Sequence, residues 1–434
     1  MDWYAAAAII VTLTALFSYV NRRFVGLPTV IGVMLGALVV SLLVIVAGAT
    51  AAPVREEMLV LLGSLDFDDL LMQGMLSFLL FAGALHVDLE ALRRQAPVIA
   101  FLALLGVVLS TFLIGLAIYG LLAAIGYPIP FLWALVFGSL ISPTDPIAVL
   151  GLLRQAKAPE KVETLIVGES LFNDGVGVVV FGVLATLLGA GGHGSGTSPG
   201  SHGAEGDFGA AEIATLFATE AFGGVLLGLG LGLLAYSMLR AIDDYGVEVL
   251  ITLAVVMGGY ALAGQLHTSG PLAMVVAGLF LGNRGRAFAM SERTRENLDT
   301  FWELVDEILN AVLFVLIGME VLVLSFEMRH ALAAAIALPV VLVARLIAVG
   351  PPVVLLRSRL GYPRYTVTLL TWGGLRGGIS IALALSLPPG DERGVVLFMT
   401  YVVVAFSILV QGLTVGRVAR RAAESASESA AGNG

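Results

Sequence analysis

Residues 131–153 read FLWALVFGSLISPTDPIAVLGLL. The run is long and apolar enough to cross a bilayer, which takes about 20 mainly apolar residues. Its middle, however, holds two prolines around an aspartate. Pro143 disfavours helix at Ser142. Asp145 followed by Pro146 combines an N-cap with proline at the first helical position, the signature of a new half-helix. The stretch therefore predicts a membrane helix broken at its centre. Residues 365–387, YTVTLLTWGGLRGGISIALALSL, have the same form. There the pairs Gly373-Gly374 and Gly377-Gly378 bracket Arg376, and paired glycines weaken a helix interior.

The rest of the chain supplies a membrane setting for these two stretches. Of its 434 residues 58% are hydrophobic even without the 52 glycines, whereas soluble domains reach roughly 45–50% with glycine included. Only 13% are charged and the mean hydropathy is +0.97. These values exclude a soluble enzyme, a nucleic-acid binder and a disordered scaffold. The absence of cysteine excludes thiol catalysis, iron–sulfur clusters and disulfides. Met1-Asp2-Trp3 lacks the basic start of a cleavable signal, so the first apolar run is expected to stay as a span.

Apolar runs and their breakers predict thirteen spans, over residues 3–20, 28–47, 69–87, 97–125, 129–153, 163–189, 210–239, 247–265, 270–283, 298–324, 331–356, 363–387 and 394–416. Lys and Arg test this count. With the N-terminus outside, inner segments hold 18 of them, and outer segments hold only Arg55, Arg329 and Arg393. Such alternation follows the positive-inside rule and sets the C-terminus in the cytoplasm. The Gly/Ser/His-rich residues 190–209 would form a flexible external loop, and its His193 and His202 are too few for a metal site.

The two broken spans are the fifth and the twelfth, so they cross the membrane in opposite directions. Broken helices at matching places in inverted halves point to a transporter's binding site near the midplane. Interrupted backbone at that depth must be buried in protein or line a cavity. The expected fold is an all-α polytopic membrane protein with two inverted six-helix repeats around span seven.

Ionisable groups inside spans cost about 2.5–3.5 kcal/mol each at the bilayer centre, so each needs a partner or a task. The clearest are Asp145, Glu169, Asp174, Arg345 and Arg376. Span six carries GESLFNDGVGVVVF (168–181), where Ser170 and Asp174 share one helix face and Glu169 and Asn173 a neighbouring one. A carboxylate, a hydroxyl and an amide oxygen suit a hard monovalent cation, and a carboxylate also takes a proton. One group that holds either ion is the least that exchange requires. Arg345 stays protonated and needs an anion, for which Glu169 is the first choice. Arg376 would offset half-helix carbonyl ends, and Asp145 half-helix amide ends. Glu303, Asp306, Glu307 and Glu320 in span ten are less clearly central. The spacings Gly32/Gly36 and Gly224/Gly228/Gly232 suit close helix packing, within the chain or in a dimer.

Together SPTDP (142–146), GESLFNDGVG (168–177) and WGGLRGG (372–378) resemble the NhaP-type monovalent cation/proton antiporters, relatives of the eukaryotic sodium/proton exchangers. The resemblance covers nearly the whole chain. It implies thirteen spans, a homodimer in the cell (inner) membrane, and no cofactor beyond the transported Na⁺ and H⁺. It implies dimerisation-side helices in 1–95 and 210–325, and core helices in 96–189 and 326–421. Residues 190–209 remain a loop and 422–434 a disordered tail. Asp174 matches the residue that carries the ion or proton. Ser170 and the main-chain carbonyl of Thr144 match its ligands, with Asp145 acting through water or on the helix ends. Glu169 matches the partner of Arg345, and Asn173 implies electroneutral one-for-one exchange. FAGAL (81–85) departs from the pattern: some members have an acidic residue where Ala82 stands, which puts ion coordination from span three in question.

The expected activity is Na⁺ (or Li⁺) exchange for H⁺, and the alternative is a K⁺/H⁺ antiporter or K⁺ efflux protein of the same fold. An intramembrane aspartyl enzyme fits poorly, because Asp145 is a cap and neither HExxH nor GxSxG occurs in the spans. A passive channel would need a continuous polar pore, and the ionisable groups are few and clustered.

Overall fold

The structure is a computed structural model that describes residues 3–48, 56–60, 74–145, 149, 153, 160–189, 210–324, 326–363 and 365–431. The first part of expected span three, Pro146 with most of the second half of span five, and the 190–209 loop lie outside the described residues. Among the described residues the chain is all helical, apart from one isolated β-bridge. Among the described residues eight helices are long and apolar enough to cross a membrane, and Leu76–Leu85 and Phe131–Ile141 are shorter apolar helices.

The elements run α1 (Trp3–Val20), α2 (Thr29–Ala47), α3 (Leu76–Leu85), α4 (Leu89–Ala100), α5 (Val107–Ala124), α6 (Phe131–Ile141) and α7 (Glu160–Leu187). They continue as α8 (Ala210–Leu239), α9 (Tyr245–Gln265), α10 (Gly270–Phe280), α11 (Glu292–Glu320), α12 (Met328–Leu360), α13 (Thr366–Trp372), α14 (Gly378–Leu385), α15 (Asp391–Phe406) and α16 (Gly412–Ala431). A π-helical turn, Phe101–Gly106, joins α4 to α5, and another, Ser407–Gln411, joins α15 to α16.

Several helices begin earlier than hydropathy suggests, because their first turns are polar and capped. Asp88 accepts from the amides of Glu90 and Ala91 and starts α4 eight residues before the expected span at 97. Ser291 accepts from the Thr294 amide and starts α11 before the expected 298. At the other end of the chain, α16 runs to Ala431.

Two groups of helices pack within themselves. Helices α1, α2, α3 and α8 to α11 form one; α4 to α7 and α12 to α16 form the other. The first is anchored by Trp302, fully buried against Phe78, Phe81 and Phe301, with its indole N–H donating to Thr252 Oγ1 at 3.1 Å. The glycine spacings serve this packing. Gly224, Gly228 and Gly232 of α8 lie against Ser269, Val276 and Phe280 at α10, and Gly36 lies against Phe17. Contacts of α7 with α8 and α10, and of α11 with α14, join the groups and bring the broken elements to the middle of the protein.

Candidate ion site at the crossing of two broken helices

Helix α6 stops at Ile141, and Ser142-Pro143-Thr144-Asp145 runs on without helix. Helix α13 stops at Trp372, and the chain resumes helix only at Gly378. The two breaks meet. The Asp145 amide donates to the Leu375 carbonyl at 2.8 Å, an antiparallel bridge between the interruptions. Arg376 Nη1 donates to the carbonyls of Ser142 at 2.6 Å and Pro143 at 2.8 Å, so its charge caps the open C-terminal end of α6. The Asp145 side chain lies against Gly377, which precedes the N-terminus of α14. Each break thus sets its ionisable group against the opposite half-helix. The cap that Asp145 would give its own following half-helix lies outside the described residues.

Helix α7 brings the other residues to the crossing. Gly177 lets it approach so closely that a Cβ there would run into the Pro143 ring. Asn173 ties helix to break: its Oδ1 accepts from the Thr144 amide at 3.2 Å, and its Nδ2 donates to Thr144 Oγ1 at 2.9 Å and Glu169 Oε1 at 2.7 Å. Ser170 Oγ lies 2.9 Å from Thr144 Oγ1. Glu169 receives both terminal nitrogens of Arg345, each at 2.6 Å, and Arg345 Nε donates to the Leu370 carbonyl at 3.3 Å. This two-pronged pair is buried on both sides, a geometry that guanidinium and carboxylate share by shape.

Asp174 differs from its neighbours. It is only 6% exposed, and among the described residues its carboxylate accepts no hydrogen bond. It turns instead into a cavity with an empty volume of about 620 Å³, mouth included, which Asp145 and Pro143 also line. Part of its wall comes from α3 and α11, where α3 contributes Leu76, Leu79, Leu80 and Gly83. Ala82 is buried beside this wall but does not line it.

All eight residues singled out in the sequence, Thr144, Asp145, Glu169, Ser170, Asn173, Asp174, Arg345 and Arg376, therefore belong to one connected region. Two further polar residues line the cavity: Ser380 of α14 and Asn310 of α11. Hydropathy reading passes over both, since a single serine or amide breaks no pattern. Glu303, Asp306 and Asn310 follow one face of α11, exposed, half-buried and buried in turn.

An arrangement of this kind can hold a small cation against carboxylate oxygen beside freed main-chain groups. Comparison with known proteins shows the family and the fold. The transmembrane sodium/hydrogen exchanger family matches residues 9–421. The Na⁺/H⁺ antiporter NhaP of Pseudomonas aeruginosa is 50% identical over 419 residues, which are 95% of this chain and 96% of that protein. The Na⁺/H⁺ antiporter NhaH of Halobacillus aidingensis is 37% identical over 353 residues, 80% of this chain and 81% of that one. The solved structure of the sodium proton antiporter MjNhaP1 from Methanocaldococcus jannaschii at pH 8 superposes with a TM-score of 0.71 at 17% identity, covering 96% of this chain and 99% of that one.

Proposed function

The chain belongs to the sodium/hydrogen exchanger family, and on that premise we propose that it is a secondary antiporter exchanging Na⁺, or Li⁺, for H⁺ across the cell membrane. The observation that carries this reading is the state of Asp174: buried, facing the cavity, and accepting no hydrogen bond among the described residues, while Asn173 and Glu169 beside it are engaged. A carboxylate that no described residue holds by a hydrogen bond can take a cation or a proton, but not both. Ser170 and the Thr144 carbonyl complete the cation's oxygen shell, and Asp145 acts through water or on the helix ends. Each transported ion carries one positive charge and Asn173 is neutral, so exchange is one for one and electroneutral.

The wider frame belongs to the same proposal. The crossing breaks support two inverted repeats and a total of thirteen spans. The group of α4 to α7 and α12 to α16 is the moving core, and the other group is the static, dimer-forming side. The Lys/Arg pattern supports an external N-terminus and a cytoplasmic C-terminus in the inner membrane. Sodium is favoured over the K⁺ alternative, because the matching relatives are named for Na⁺/H⁺ antiport. Those relatives are transporters, which supports transport over bond-making chemistry.

The test is proton movement in everted vesicles holding a pH gradient, with Na⁺, Li⁺ and K⁺ added in turn. Collapse of the gradient by Na⁺ and Li⁺ but not K⁺ supports the proposal. A response to K⁺ alone moves the substrate to potassium, and no response to any cation rejects antiport.

A further inference from the structure

Asn310 is 2% exposed and lines the Asp174 cavity from α11. Its Nδ2 donates to the Asp306 carbonyl at 2.8 Å. That bond fixes the amide, because only its nitrogen can serve a carbonyl oxygen. The other end, Oδ1, is buried and accepts from no donor among the described residues. A buried acceptor without a donor is a cost that folding alone does not explain. The wall it belongs to is otherwise apolar: the lining residues from α3 and α11 are Leu76, Leu79, Leu80, Gly83, Asn310 and Leu313. The same cavity is lined, from the other helix group, by Asp174 and Asp145.

From this geometry we infer that Asn310 Oδ1 is a ligand of the transported monovalent cation, contributed from the helix group that does not hold Asp174. The inference rests on the antiport reading and adds a contact to it. An amide oxygen suits the position chemically. It coordinates a hard cation, yet it takes up no proton at any working pH. A carboxylate there would titrate and add a charge to the transport cycle; the amide leaves one-for-one exchange intact. It also favours the cation over the proton, since a protonated Asp174 gains nothing from a second acceptor at a distance. Because the two oxygens come from different helix groups, the cation is gripped by both only while α11 faces the crossing. Asn310 then sets cation affinity in that state and the competition between Na⁺ and H⁺.

Two variants test this in proteoliposomes of the purified full chain. Asn310→Leu keeps the side-chain outline and removes the oxygen, whereas Asn310→Asp keeps an oxygen at the same reach. The Leu variant is expected to raise the apparent KM for Na⁺ by about tenfold with a smaller change at saturating Na⁺. The Asp variant is expected to hold KM within about threefold of wild type while its pH profile shifts. Calorimetric titration of NaCl into detergent-purified protein reads the same loss without transport, and an Asn310→Ala variant serves if the leucine does not fit. Wild-type Na⁺ affinity in the Leu or Ala variant overturns the inference. So does an equal loss of rate in both Leu and Asp variants with KM unchanged. Failure of antiport itself is distinguishable, because wild-type protein would then move no protons with any cation.

Discussion

The amide of Asp145 donates to the carbonyl of Leu375 at 2.8 Å, and this bond joins the two interrupted helices where they cross. Residues that are far apart in sequence here share one short antiparallel bridge. Around it, Arg376 covers carbonyls of the first break, and Gly377 makes room for the Asp145 side chain. The crossing is thus a single polar unit in an apolar setting, and its parts respond together.

Gly377 shows how tight that unit is. Its φ of −114° is open to any residue, so backbone strain is not what requires glycine. What requires it is the neighbour: a Cβ would stand 2.8 Å from the Asp145 Cβ and closer still to its carboxylate. Gly377→Ala is expected to displace Asp145 and slow Na⁺-driven proton movement by about tenfold or more. Gly120→Ala, where an added Cβ meets nothing within 4 Å, should transport as wild type. Initial rates in vesicles compare the two.

The Glu169–Arg345 pair makes a prediction about stability. Both partners are buried, so removing one leaves a charge without compensation. Glu169→Gln or Arg345→Gln is expected to cost about 3–5 kcal/mol, and the double variant distinctly less than the sum of the two. Thermal unfolding of detergent-purified protein measures the cycle. Additive losses would mean that the pair does not act as a unit.

Much of this region is legible in the sequence, for local reasons. Proline and glycine pairs announce breaks within the residues that contain them. A charged group in an apolar run demands a partner, and few candidates exist, so Glu169 and Arg345 find each other on paper. The meeting of Asp145 with Leu375 is a different matter. It joins main-chain atoms of distant segments, and main-chain atoms leave no trace in residue type. Helix starts at Leu89 and Glu292 escape a hydropathy reading because their first turns are polar and capped by Asp88 and Ser291. Asn310 escapes it because one amide in a long helix looks like many others; only the cavity beside it marks it out.

Asn173 bears on charge balance. Its amide donates to Glu169 at 2.7 Å and to Thr144 at 2.9 Å, and an aspartate can do neither. Asn173→Asp would set a second acid against Glu169 while Arg345 is already engaged. The expected result is loss of stability, with no voltage dependence gained in whatever exchange remains. Proton flux at two clamped potentials checks this. A variant that becomes both well folded and voltage-sensitive would show that the aspartate alone converts the stoichiometry.

On the proposed reading, competition between Na⁺ and H⁺ at Asp174 sets the pH profile. At low pH Asp174 stays protonated and no cation enters; at high pH the cation stays and no proton displaces it. Exchange is fastest where the two occupancies balance. With equal Na⁺ on both sides, a tenfold rise in Na⁺ must then be matched by a tenfold rise in H⁺, moving the optimum about one unit toward acid. Rates measured from pH 6 to 9, about the range such vesicles tolerate, at two Na⁺ levels show the shift. An optimum that ignores Na⁺ would require a proton site separate from the cation site.

The most direct measurement places wild type beside Asp174→Asn in proteoliposomes with a pH gradient and a clamped membrane potential, and adds Na⁺. The account predicts that Na⁺ collapses the gradient in wild type at a rate that the imposed potential leaves unchanged, and that the folded variant shows no response. Exchange that survives in Asp174→Asn would contradict it, because the carboxylate held to carry both ions would then carry neither.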